Sequence, residues 1–101
     1  MDSGLSCAEC QALYVRACDQ DDSEAWRELK ARALRAFLQF LDKQVGALMP
    51  AAQKRRLVEY AIVVMRRRAR LNSSLANALR DARGVLARLV VRALTQSRQH
   101  R

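Results

Sequence analysis

The chain of 101 residues is 50% hydrophobic and 29% charged, with a formal net charge of +9; its apolar content excludes a disordered segment and its length excludes two independent cores. Folding a chain this short hides only about two thirds of its extended surface, so a second copy is expected to complete part of the core. Three glycines and one proline are too few for turn-punctuated strands, which leaves an all-α helical bundle of three to four helices in a single domain.

Ser6-x-x-Glu9 has the form of a capping box, in which hydroxyl and carboxylate each satisfy a free amide. A first helix is predicted over 6–18, with Cys7, Cys10, Tyr14 and Cys18 sharing one inward face at spacings of three and four. The acidic stretch Asp19 to Glu24 reads as a turn into a second helix over 23–48, since negative charge suits the positive start of a helix. Trp26, Leu29, Ala33, Phe37, Phe40, Leu41, Val45 and Leu48 form its apolar stripe. Gly46 and Pro50 punctuate its end, and Pro50 suits the first position of a third helix, where a missing amide hydrogen costs nothing.

The third helix is predicted over 50–71, burying Leu57, Val58, Ala61, Ile62, Val64, Met65 and Ala69. Asn72, Ser73 and Ser74 then offer a cap and a break. A fourth helix over 75–95 carries Leu75, Ala78, Leu79, Ala82, Leu86, Leu89, Val90 and Ala93 on one side, and Gly84 inside it leaves a kink or an end near Arg83 open. Residues 96–101 read as a frayed, flexible polar tail.

The longest apolar run, Tyr60 to Met65, falls far short of the roughly 20 residues that span a bilayer, so a membrane is not an expected partner. The N-terminus opens with acidic Asp2 and lacks the basic-then-apolar order of an export signal, so an intracellular, cytoplasmic location is expected.

Cys7-x-x-Cys10 with Cys18 is a spacing that holds zinc or a redox disulfide in other settings. A closed zinc site needs four ligands, and the one further soft candidate is the near-terminal His100. The three cysteines therefore read as small buried residues. The single histidine, the missing Gly-rich phosphate loop and the lack of a paired-carboxylate motif point away from an enzyme, and no metal or cofactor is implied.

Charge is the informative feature. Residues 1–50 carry six Lys/Arg against eight Asp/Glu, a balance of −2, whereas residues 51–101 carry thirteen against two, a balance of +11. A field of one sign this dense repels itself, and a polyanionic partner is the simplest reason to keep it. Twelve of those thirteen cations are arginine, whose planar fork takes two phosphate oxygens at once.

On the third helix Arg55, Glu59, Arg66 and Arg70 fall near one line, with Arg56 and Arg67 on the next and Lys54 at the start. Arg80, Arg83, Arg88 and Arg92 add the polar side of the fourth. Trp26, Phe37 and Phe40 are assigned to the core and Tyr14 and Tyr60 stand alone, so no aromatic platform for single strands is expected. A polar face of nearly pure arginine positions on phosphate without reading bases. Duplex nucleic acid is the expected partner, and double-stranded RNA is preferred because A-form duplexes are read by shape.

Two stretches, LRAFLQFL at 34–41 and RARLNSSL at 68–75, resemble segments of the small helical suppressors of RNA silencing made by nodaviruses. The resemblance implies an antiparallel homodimer that lays long helices across one face of double-stranded RNA and blocks its processing, with the host cytoplasm as location. It adds Arg35 to the candidates and gives Arg70 a second reason. The expected contact set is Arg35, Lys54, Arg55, Arg56, Arg66, Arg67, Arg70, Arg80 and Arg83. The alternative reading is a helical protein–protein module, such as a secretion chaperone or assembly adaptor, whose apolar stripes meet a partner helix. A peripheral membrane module built on Val85 to Arg98 is a third.

Overall fold

Asp22 starts the longest continuous stretch of the first half: its Oδ1 accepts from the backbone N–H groups of Glu24 at 3.0 Å and Ala25 at 3.2 Å, satisfying two amides that a helix start leaves open. The computed structural model describes residues 5, 7–72 and 74–99, the last three by backbone alone. It contains four α-helices, α1 Ala8–Asp19, α2 Ser23–Val45, α3 Ala51–Arg67 and α4 Leu75–Gln99, and no strand among the described residues. Consecutive helices run antiparallel, as Arg32 beside Glu9, Lys54 beside Asp42 and Arg68 beside Asp81 require. The body measures 48 × 23 × 20 Å.

Several boundaries differ from the sequence reading, each for a local reason. Ser6 lies outside the described residues, and the described cap of α1 is Cys7, whose sulfur accepts from the Cys10 N–H. Glu9 in the first turn and Arg16 in the last both suit the dipole of α1. α2 ends at Val45 instead of Leu48, because Gly46 adopts φ 51 and ψ −127, a conformation that side chains resist. A 3-10 turn, Gly46–Leu48, follows, and Pro50 precedes α3 in extended conformation.

α3 stops at Arg67, four residues before the expected end. The chain continues through a 3-10 turn, Ala69–Leu71, to Asn72 in extended conformation. Tyr14 on α1 holds this break, its hydroxyl donating to the carbonyls of Asn72 at 2.7 Å and Ala69 at 3.4 Å. Ser74 then caps α4 by accepting from the Asn77 N–H at 3.3 Å, while the Gln11 side chain of α1 accepts from Leu75 N–H at 3.0 Å. α4 passes through Gly84 without interruption and reaches Gln99, four residues past the expected end at 95, so no end falls near Arg83 and the tail expected from residue 96 is corrected over 96–99. Residues 100 and 101 lie outside the described residues.

The core is one cluster drawn from all four helices. Tyr14, Leu29, Phe37, Leu41, Val58, Met65 and Leu86 are fully buried, each large side chain removed from water contributing about 1.5–3 kcal/mol before entropy is counted. Tyr14 and Trp26 meet edge to face with centroids 6.2 Å apart, and the Trp26 ring N–H donates to the Ala17 carbonyl at 3.1 Å. Their polar atoms are thereby satisfied while their rings fill the interior.

Three expected core positions are corrected. Cys18 is exposed, because the inward stripe of α1 is Cys10, Leu13, Tyr14 and Ala17. Phe40 is 38% exposed and Leu48 75% exposed. Cys7 is partly buried against the core. The cause of the Phe40 exposure is length: α1 has 12 residues and α4 has 25, about 18 Å against about 37 Å. α1 therefore lies against the first half of α2 and the start of α4, and beyond it the bundle is three helices thick.

Candidate nucleic-acid interface

α3 occupies the middle of one broad face, with α2 on one flank and α4 on the other. Its buried row is Lys54, Val58, Ala61, Ile62 and Met65, so at 100° per residue the ridge opposite carries Arg56, Tyr60, Val63 and Arg67. All four are exposed, Tyr60 and Val63 included. The seam with α2 is lined by Arg27, Lys30, Val63 and Arg66. The seam with α4 is lined by Tyr60, Val64, Arg68, Arg88, Leu89 and Arg92. Arg68 also lines the adjoining hollow that holds Arg80.

These placements make a band of cations that spreads across the face and along α3. It includes Arg27 and Lys30 on α2, Arg56, Arg66 and Arg67 on α3, Arg68 just past the end of α3, and Arg88 and Arg92 on α4. Arg66 is steered by Trp26, its guanidinium carbon 5.2 Å from the ring centroid, an arrangement that orients the fork and leaves its edge open. The band is sparsely neutralised: Arg68 pairs with Asp81 at 2.9 Å and Arg55, on its margin, with Glu59 at 2.9 Å. Both pairs are substantially exposed and hold their arginines weakly.

Four carboxylates of the first half are held by Arg16, Arg32 and Lys54, while Asp19 and Asp21 line one cleft with Arg66 and Arg70. Glu9 and Glu28 share Arg32, and Asp22 holds Arg16. Asp19, Asp21 and Glu24 gather at the turn between α1 and α2, where Asp21 takes φ 51, a conformation that Asp tolerates better than most residues.

The nine sequence candidates are not brought together as one set. Arg56, Arg66 and Arg67 lie on the band, and Arg80 adjoins it. Arg55 is at its edge, occupied by Glu59. Lys54 is buried, 8% exposed, with its Nζ 2.7 Å from Asp42 Oδ1, so it belongs to the interior and not to the strip. Arg70 leaves the line of α3, because the helix has ended before it; it lines a cleft of about 610 Å³ together with Trp26, Asp19 and Asp21. Arg83 is half-buried and engaged within the molecule, on the row of α4 that carries Leu79 and Val90. Arg35 stands on the side of α2 opposite Ala33 and Phe37, outside the band.

Arg68, Arg88 and Arg92 on the α4 seam and Arg27 and Lys30 on the α2 seam are band residues absent from the expected contact set. The periodicity of α4 already put Arg88 and Arg92 on its polar side; what it lacked was the pairing of that side with Arg68. Among the described residues no three His, Cys, Asp or Glu are grouped to hold a metal, and no helix is long and apolar enough to cross a membrane. Comparison of the chain with models of known families, with curated proteins and with solved structures found no match.

Proposed function

We propose that this protein binds duplex nucleic acid independently of sequence, with double-stranded RNA preferred, and shields it from processing enzymes. The supporting observation is the band: Arg56, Arg67, Arg88 and Arg92 are exposed on one side of the molecule with no carboxylate partner among the described residues. Guanidinium forks spread across three helices match a surface of regularly spaced phosphates and read no base edges. α3 alone, with 17 residues, offers about 25 Å of contact.

The reading includes an antiparallel homodimer. Phe40, Leu48 and Val91 are exposed apolar side chains in the half of the bundle that α1 does not reach, and a second copy would cover apolar surface there. Sedimentation velocity distinguishes dimer from monomer directly.

Binding to double-stranded RNA, double-stranded DNA and single strands in a salt series tests the main reading. Engagement of about six phosphates predicts a loss of about a thousandfold in affinity between 50 and 200 mM salt. Arg67, Arg88 and Arg92 replaced together by Ala should weaken binding at least ~30-fold with helix content unchanged. Tyr60 and Val63, exposed within the band, favour the second reading, a helical protein-binding adaptor. A salt dependence under about threefold would select it.

A further inference from the structure

Cys7 and Cys10 lie outside the cationic band, with their sulfurs next to each other. Cys7 precedes α1 in extended conformation, φ −79 and ψ 159, and is partly exposed. Its sulfur accepts from the Cys10 backbone N–H at 3.4 Å and lies 3.3 Å from the Cys10 sulfur. Cys10 is completely buried, directly beneath, with Arg32 Nη1 donating to its sulfur at 3.5 Å. One sulfur thus meets solvent at a helix mouth while the other waits behind it within van der Waals reach. The third thiol, Cys18, is exposed at the far end of the same helix and shares none of this geometry.

We propose that Cys7 and Cys10 form a reversible dithiol–disulfide site, Cys7 attacking and Cys10 resolving, whose co-reactant is a low-molecular-weight disulfide. Covalent closure brings the sulfurs to about 2.05 Å, an approach of little more than an ångström that rotation of the partly exposed Cys7 side chain supplies. The two thiols have opposite characters. Hydrogen bonds from the Cys10 amide and then from the Cys10 thiol hold Cys7 below the ordinary thiol range, against desolvation and the charge of Glu9. Burial first, and then the bond to Cys7, push Cys10 up. The exposed sulfur is the one that ionises readily, as an attacking thiolate must.

The electrons balance in two exchanges. The Cys7 thiolate attacks one sulfur of the small disulfide, forming a mixed disulfide and expelling one thiolate. The Cys10 thiol loses its proton to solvent or to that thiolate and attacks the Cys7 sulfur, forming the intramolecular bond and expelling the second thiolate. The protein gives up two electrons and two protons, and the small disulfide becomes two thiols. A dithiol reductant reverses both steps.

The full-length folded protein, incubated with oxidised glutathione, then alkylated and cleaved with trypsin, gives a direct readout. Cleavage after Arg16 leaves Cys7 and Cys10 on one peptide and Cys18 on the next. The expected result is a first peptide lighter by two hydrogens and resistant to alkylation, restored by dithiothreitol, with Cys18 still alkylated. Brief iodoacetamide treatment of the untreated protein near pH 7 should label Cys7 about tenfold faster than Cys18, whose thiol desolvation pushes up. Cys10→Ser should trap the glutathione adduct on Cys7; if that variant does not fold, the alkylation rates on the natural chain decide. Equal labelling of Cys7 and Cys18, or a stable glutathione adduct on the natural chain with no closure, would overturn the proposal. Neither result bears on duplex binding.

Discussion

Lys54 Nζ lies 2.7 Å from Asp42 Oδ1, and the pair fastens the start of α3 to the last turns of α2. The lysine is buried while the aspartate is largely exposed, so solvent screens one partner only. Removing the carboxylate strands a charge in the interior, whereas replacing the lysine with an apolar chain of similar length removes the problem. Asp42→Asn should lower stability by about 1 kcal/mol, and Lys54→Met should be neutral or stabilising, both read from urea midpoints. Lys54→Met should also leave duplex affinity unchanged; a large loss would return Lys54 to the interface.

Trp26 is the sole tryptophan, and Arg66 lies over its ring. A phosphate drawn to Arg66 moves a charge above the indole, so saturating double-stranded RNA should change Trp26 emission. Arg66→Ala should abolish that response and cost about 0.5–1 kcal/mol of stability from the lost cation–π contact. An emission spectrum indifferent to the duplex would place the nucleic acid elsewhere on the molecule.

Asp22 sets the acid behaviour of the α1–α2 turn. The Ala25 amide, and then Arg16, hold its carboxyl below the ordinary range. A folded-state pKa depressed in this way gives stability that is complete above the unfolded value, at about pH 5, and lost as pH falls through the folded value. Asp22→Asn keeps a capping oxygen without the charge, so its melting temperature should depend less on pH below about 5. Asp22→Ala removes the cap as well and should melt about 4–8 °C lower at neutral pH.

Gly84 sits inside the unbroken α4, and a β-carbon there would meet nothing within 4 Å. Gly84→Ala should therefore stabilise by about 0.5–1 kcal/mol, visible as a higher thermal midpoint, with duplex affinity unchanged. A lower midpoint would mean that the helix bends at this residue in solution.

What was legible in the sequence was whatever local chemistry decides. The four helices follow from apolar spacing and from Asp22, Gly46 and Ser74 acting on their own neighbourhoods. Misplaced residues were those decided by another helix. Phe40 keeps perfect stripe spacing, yet it is exposed because α1 stops short of it. Lys54 carries the charge of a surface residue, yet it stands on the buried row of α3 one turn before Val58 and reaches out to Asp42. Arg70 aligns with Arg66 by arithmetic, but Tyr14 grips the backbone at Ala69 and Asn72 and turns the chain aside. Cys10 packs in the core as its spacing implied, whereas Cys18 faces solvent because the inward row of α1 is Cys10, Leu13, Tyr14 and Ala17. The excess charge beyond Pro50 was plain; its gathering across three helices was not, since Arg27 and Lys30 belong to a half of the chain with net negative charge.

The brevity of α1 also sets the order in which the molecule comes apart. Where four helices interlock around Tyr14 and Trp26, opening exposes aromatic surface and breaks the grip on Asn72. At the opposite end, with Gly46, the exposed Leu48 and the close of α4, the bundle is one helix thinner and Leu41, Val45 and Met49 provide the burial. Amide protons of residues 86–96 should exchange with deuterium well before those of residues 26–33, which places the weakest point of the molecule at the far end from its tryptophan.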